Sequence, residues 1–464
     1  MPLLDTLGRA IEGLSDNDVS FADIRQESLT GTQLTVVNGA LRTFNQANKS
    51  GTVARALVGE SWGQASTTDA LTYERLKKLL SDATKMAKAT SKYTRKKIDL
   101  SGVIAMEKRV WQKVKEDPAD VPTEDKLEFV MELDRSQKVD DRIVNVNSVY
   151  MDSKRVYRLV NTVGTRLEWD ELRIRSTVNP VARKGDRMQF DYDSVSGLEG
   201  FEMIRNLDVS EFASKPAKGA VELLSASKAP SGNLTVVMDG DLAGVVAHEV
   251  CGHASEADEV VKGRSFLSGM VGKEMGSELV SMVDDGTIEG KYGTFPFDSE
   301  GTPTSRTMII DKGVYAGYLH TIETAALMGV SPTGNGRAQD YNRRVFARMT
   351  NTFFDKGDWS DEEIISDTKD GVYVIKSLSG MEDVVGGGVQ VTALKGYLIK
   401  NGEIAEPVRS MALAGKVLDI LATVDAVGKE LEFSAGTCGK GEEDWAPVTS
   451  GGPHMRAEMI VGGG

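Results

Sequence analysis

Apolar residues recur at helical spacing where the chain begins: Leu3, Leu4, Leu7, Ile11 and Leu14 line one face over residues 3–14. The pattern then becomes strand-like. In TQLTVVNGALRTF, Asn38-Gly39 sits between two apolar runs, a hairpin signal because such a turn needs positive φ at both positions. TVARALVG (52–59) predicts a further strand, and YERLKKLLSDATKMAKA (73–89) an amphipathic helix with its basic residues outward. A basic run at 95–97 marks a weak break after this α+β block. Residues 101–117 and 123–137 predict two helices separated by Asp117-Pro118, the second capped near Thr123. The alternating runs RIVNVNSVYMDS and KRVYRLVNTVGTRLEWDELRIRSTV predict an antiparallel sheet.

Residues 215–231, with two prolines and several Ser and Ala, form the best domain boundary in the pattern. Beyond it, LTVVM (234–238) predicts a short buried strand. Asp239-Gly240 turns the chain, and Asp241 is placed to cap a helix through LAGVVAHEV. Hairpins are expected around Asp311–Gly313 and Asn401-Gly402, a helix from Pro407 through Leu421, and loop plus one final strand in the glycine-rich tail. The organisation is therefore α+β in two domains. An N-terminal α+β region covers 1–224, divisible into 1–100 and 101–224, and a mainly β domain covers 225–464 and carries one important helix.

Composition narrows the function. Lys and Arg total 55 against 69 Asp and Glu, a formal net charge of −14 over 464 residues, which argues against a nucleic-acid partner. The start MPLLDTLGRAIEGL lacks the pattern of a signal peptide, and no run approaches the ~18 apolar residues a spanning helix needs. Only two cysteines, Cys251 and Cys438, occur; that is no disulfide framework and favours a reducing compartment. A soluble, cytoplasmic protein without a membrane partner is expected.

Two of the four histidines fall in His248-Glu249-Val250-Cys251-Gly252-His253. The familiar zinc-protease spacing is H-E-x-x-H, which puts both imidazoles on one helical face; here it is one residue longer. At ~100° per residue a regular helix points positions 248 and 253 ~140° apart, so they cannot share an ion. A single π-turn, or a helix end near Gly252, brings them together. A local helix distortion is therefore predicted. Cys438, in Gly-Thr-Cys-Gly-Lys, offers a thiolate in a small-residue loop, and His248, His253 and Cys438 would make a three-ligand set with an open position. By itself, Cys438 also reads as a buried small hydrophobe.

HEVCGH with GHASEAD, DSEGTPTSRT, MGVSPTGNGR, RMTNT, GGGVQVTALKGYLIKNG and GTCGK, in that order, resemble the signatures of the TldD/PmbA family of zinc-dependent peptidases, specifically its metal-containing TldD type. The resemblance implies that His248, His253 and Cys438 hold Zn2+ and that Glu249 is the catalytic carboxylate. It further implies a two-domain architecture, cleavage of small or unfolded peptides in a closed cavity, and pairing as a homodimer or with a TldE-like subunit. One departure is the Val250-Cys251-Gly252 filling of the motif, which makes Cys251 a competing ligand or an oxidation site.

With zinc in place, Glu249 is expected to take the proton of the attacking water and pass it to the leaving amine. The thiolate ligand predicts a weaker Lewis acid and a slow, housekeeping peptidase. Asn335, Arg337, Thr350 and Asn351 are candidates for the oxyanion or substrate contact. The strand at 389–399, with Val389 and Val391, is a candidate for β-addition of a peptide. His320 and His454 read as structural. Two other functions compete: a peptide-binding scaffold subunit with a structural zinc, and a thiol redox sensor using Cys251 and Cys438.

Overall fold

In the computed structural model, which describes residues 3–93 and 98–463, the first apolar stripe forms helix α1 (Leu3–Glu12) and buries Leu4, Leu7, Ala10 and Ile11. Strands β1 (Val19–Val37) and β2 (Ala40–Val58) follow as an antiparallel hairpin. Its turn takes φ 52° at Asn38 and 81° at Gly39, the two positive values the geometry requires. Strand β3 (Ser61–Thr67) extends the sheet, and helix α2 (Tyr73–Ser91) packs Leu76 and Leu80 against Leu4, Leu7 and Ile24. The basic run at 95–97 lies outside the described residues.

Where residues 101–117 carry helical spacing, the chain instead forms a short strand, β4 (Glu107–Val110). Ile104 and Trp111 stay exposed while Val103, Met106 and Val110, and Val114 pack against three separate parts of the core, so no single apolar stripe forms, and β4 is held by parallel pairing to β6 (Arg166–Lys184). Helix α3 (Thr123–Ser136) begins at Thr123 itself, with Pro122 as its cap. Strand β5 (Ile143–Asn161) pairs with β1 and β6, giving the order β3-β2-β1-β5-β6-β4. Of the expected boundary stretch 215–231, residues 215–223 are helical. Helix α4 (Val209–Leu223) runs through Leu223, because Ala213, Ala217, Ala220 and Leu223 make a buried face.

Strand β1 is two-faced. Ala22 and Ile24 join the α1/α2 core, whereas the intervening Asp23 and Arg25 are buried against the second half of the chain. Arg55 binds Asp23 and reaches Glu300 at 2.9 Å, and Arg25 donates to the carbonyls of Ser299 and Asp340. Buried ion pairs of this kind bring little net stability, but leaving one partner alone is costly, so they favour one way for the halves to meet.

From Gly232 onward ten principal strands form: β7 (Gly232–Met238), β8 (Met282–Asp285), β9 (Arg306–Asp311), β10 (Asn351–Phe354), β11 (Asp370–Asp383), β12 (Gly388–Lys400), β13 (Glu403–Lys416), β14 (Glu432–Lys440), β15 (Glu443–Gly452) and β16 (Met455–Gly463). The pairings β16–β7, β7–β11, β11–β12, β12–β13 and β13–β16 close a five-strand barrel. A second sheet runs β9-β8-β10-β15-β14, with β14 at its edge. The turns at Lys312-Gly313 and Asn401-Gly402 take the positive φ values their hairpins need.

Two predicted elements of this half form differently. Pro407 starts no helix: it lies within β13 opposite Tyr397, and only Val417–Ala422 is helical. Pairing to β12 and β16 and burial of Met411 and Leu413 override the local preference. The glycine-rich tail is three strands rather than loop and one strand. Helix α5 (Gly240–Ala247) lies between barrel and sheet, in a core with Val374, Val391 and Val461 on one side and Met282, Phe354 and Val448 on the other. A Cβ at Gly244 would lie 2.4 Å from the backbone nitrogen of Gly451, so only glycine allows this approach.

Candidate metal centre

Asp239, rather than Asp241, caps α5: its carboxylate accepts the Leu242 N–H at 2.8 Å. Asp241 lies inside the helix and accepts from the N–H and hydroxyl of Ser377, tying α5 to β11. The helix then widens. Residues His248–Gly252 form a π-turn in which the His253 N–H donates to the His248 carbonyl, followed by a tight turn over His253–Ser255. This is the distortion predicted from the H-E-x-x-x-H spacing.

The π-turn brings the two imidazoles together, ring centroids 5.0 Å apart and planes at 89°. Both face Cys438, with His248 Nε2 at 3.1 Å and His253 Nε2 at 3.3 Å from its Sγ. All three side chains are buried. Cys438 lies on edge strand β14 rather than in a loop, opposite Ala446. Arg348 fixes this point of the strand, donating to the Cys438 carbonyl at 2.6 Å and to Glu443.

This donor set fits a metal ion. Zinc bonds of about 2.3 Å to sulfur and about 2.0 Å to nitrogen in a tetrahedral site put donors roughly 3.5 Å apart, so opening the trio by a few tenths of an ångström admits it. Burial alone would raise the Cys438 thiol, but His248 and His253 pull it well below its ordinary value, and the thiolate is the metal-binding form. Burial likewise opposes charge on the imidazoles, while Cys438 raises His248, and Glu256 and Cys438 raise His253.

Behind the trio stands a relay that spacing did not reveal. His253 Nδ1 meets Glu256 Oε2 at 3.1 Å, and Lys440 Nζ reaches the same oxygen at 2.9 Å and Asp258 at 2.6 Å. Against the cost of burial, Lys440 and His253 hold Glu256 far below the usual carboxylate range. Such a partner fixes the ring orientation and tautomer of a ligating histidine.

Glu249 is half-buried beside the trio. Burial lifts its carboxyl to about 7; His248 pulls against that rise and a hydrogen bond with Glu382 of β11 adds to it. Glu249, His253 and Glu382 bring ligand-type atoms within 4.8 Å of one another. Glu382 is the second carboxylate of the site, and nothing in its sequence neighbourhood marks it.

The other candidates are placed elsewhere. Asn335 donates to Asp284 and to the Arg348 carbonyl, and Thr350 donates to the same Asp284. Asn351 donates to the Asp285 carbonyl, and Arg337 to the carbonyls of Met349 and Pro447. All four are buried and spend these donors on the fold. Val389 and Val391 lie on β12, whose two edges are taken by β11 and β13, so no peptide can add there. Cys251 packs in the apolar core, stands outside the donor trio, and forms no disulfide with Cys438. His320 pairs with Thr324, and His454 with Tyr373 and Asp361.

The sequence matches three consecutive parts of one family: PmbA/TldA metallopeptidase domain 1 over residues 22–87, its central domain over 116–224 and its C-terminal domain over 231–464. A metalloprotease of Methanocaldococcus jannaschii is 36% identical over 443 residues, 95% of this chain and 96% of that one. In fold the chain is similar to a Thermotoga maritima protein described as a proposed modulator of a DNA gyrase. The TM-score is 0.81 at 22% identity, covering 99% of this chain and all of the other. It is also similar to TldE of Thermococcus kodakarensis, with TM-score 0.76, 18% identity and 99% of both chains covered.

Proposed function

Because the chain belongs to the PmbA/TldD metallopeptidase family, we propose that this hydrolase is a zinc-dependent peptidase. His248, His253 and Cys438 hold the ion, and Glu249 moves the proton. The observation that carries the proposal is the convergence of two imidazole nitrogens and one thiolate sulfur on a single point beside a carboxylate raised to about 7.

When bound there, zinc supplies Lewis acidity to the scissile carbonyl and to the attacking water. The chain supplies the rest. Glu249 takes the water's proton on a carboxylate oxygen and returns it to the leaving amine, a task suited to a group titrating near the working pH. Glu256 and Lys440 keep His253 oriented, and Arg348 keeps Cys438 in place. Among the described residues the His248–His253–Cys438 group offers three donors rather than four, which supports a catalytic rather than a closed structural zinc and favours this reading over a scaffold subunit.

The substrate class is peptides that can be drawn out straight. Among the described residues, the outer edge of β14 is unpaired and leads directly to Cys438, so main-chain hydrogen bonds can seat an extended peptide with little side-chain selection. The likeness to TldE supports pairing with a similar subunit, either a second copy or a TldE-like chain. Among the described residues no helix is long and apolar enough to cross a membrane.

The decisive variant is Glu249→Ala, assayed on an unfolded peptide after its metal content is measured. Full zinc with cleavage lost is the expected result; unchanged cleavage overturns the role of Glu249.

A further inference from the structure

A cavity of about 520 Å³ opens between β3 and helices α6 (Ala257–Val261) and α7 (Ile322–Met328), on a wall the metal donors do not line. Trp62, Phe346, Ile98 and Leu327 give it aromatic and apolar surface, and four carboxylates line it: Glu60, Asp258, Glu300 and Glu323. The basic residues on the same wall are already engaged. Arg55 is bound to Asp23 and Glu300, Lys262 to Glu259, and Arg344 to Glu442.

Glu300 is the carboxylate that Arg55 and the Ile322 N–H occupy; the other three keep acceptor capacity. Among the described residues neither Glu60 nor Glu323 makes an ion pair or side-chain hydrogen bond. One Asp258 oxygen takes Lys440, while the other is buried without a hydrogen-bond partner, as is Trp62 Nε1. Both aromatic rings already attract guanidinium groups, Arg55 lying 4.8 Å from the Trp62 ring and Arg344 5.0 Å from that of Phe346. We propose that this cavity binds a small organic cation, an ammonium or guanidinium on an apolar stem, with Glu323 and Glu60 as counter-charges and Trp62 and Phe346 against the stem.

Burial, with the nearby charges of Glu300 and Asp258, holds Glu323 above its ordinary range, and a bound cation would relieve that cost. The cavity is separate from the metal centre yet touches it through one chain of contacts: Asp258 to Lys440, Lys440 to Glu256, and Glu256 to His253. The proposal goes beyond the peptidase reading and stands without it.

The test is calorimetric titration of the zinc-loaded chain with agmatine. Binding is expected, at least tenfold weaker in Glu323→Gln and in Trp62→Ala, and unchanged when the wild type is stripped of its metal by a chelator, which separates the cavity from the metal. Should Glu323→Gln fail to fold, Glu60→Gln in the turn before β3 should show the same loss. A blocked Ala-Ala-Arg-Ala-Ala peptide that displaces agmatine identifies a peptide side chain as the source of the cation; agmatine binding that this peptide cannot displace identifies a free small molecule. No binding of agmatine to the wild type, or equal binding to every carboxylate variant, overturns the proposal.

Discussion

Glu249 rests on Gly380 of β11 so closely that a Cβ at position 380 would lie 2.3 Å from Glu249 Cγ and 2.7 Å from its Oε1. The site thus depends on a residue with no chemistry of its own. Gly380→Ala should push the carboxylate aside while leaving His248, His253 and Cys438 untouched. A misplacement of about 1 Å can cost on the order of 100-fold in rate. The expected result is a loss of that size in kcat with zinc content at the wild-type level; unchanged kcat would show that the placement of Glu249 does not matter.

Glu256 reaches the proposed metal site through His253. Glu256→Gln keeps the shape of the side chain but removes its charge, and loss of such a partner typically lowers metal affinity by about 10–100-fold. Competition against a zinc chelator of known affinity should show a weakening in that range. Affinity equal to wild type would place Glu256 outside the metal's support.

The two cysteines should behave oppositely. Cys438→Ser is expected to lose zinc, because it removes the sulfur that both imidazoles face. Cys251→Ser is expected to keep zinc and lose only about 1 kcal/mol of stability by placing a hydroxyl in an apolar core. Metal analysis of the purified variants decides between this ligand set and one that uses Cys251.

Asp239 makes stability depend on pH. Burial raises it from 3.8 to about 7, with Asp241 adding to the rise. A raised aspartate binds its proton more tightly in the folded state. Its contribution is therefore fully present below the unfolded value and is lost as pH climbs through about 7. Asn caps a helix as well as Asp, so Asp239→Asn and wild type should melt alike near pH 4. At pH 8 the variant should be more stable by a few kcal/mol. Parallel melting curves across that range would show that Asp239 carries no such shift.

What was legible along the chain was whatever its own neighbours decide. The Asn38-Gly39, Lys312-Gly313 and Asn401-Gly402 turns follow from φ preferences within two residues. The π-turn follows from the five-residue offset of His248 and His253, and the first helix from its apolar period. Where the outcome hung on a distant partner, local pattern misled. Residues 101–117 look helical but find an edge of β6 instead, and Pro407 looks like a helix start but enters a barrel strand.

The sequence by itself determined the chemical inventory: two scarce thiols, a His-Glu-His segment that must bend its helix, and the signatures of a metallopeptidase family. Only the tertiary structure decided that Cys438, 190 residues beyond His248, arrives on an edge strand between the two imidazoles. It also decided that Glu256, Lys440 and Glu382 surround them, and that Asn335, Arg337, Thr350 and Asn351 are spent on the fold. The physical reason is range. Turn and helix geometry are set by bonds within a few residues, whereas a buried donor or carboxylate takes its role from whichever strand the closed barrel and its neighbouring sheet bring beside it.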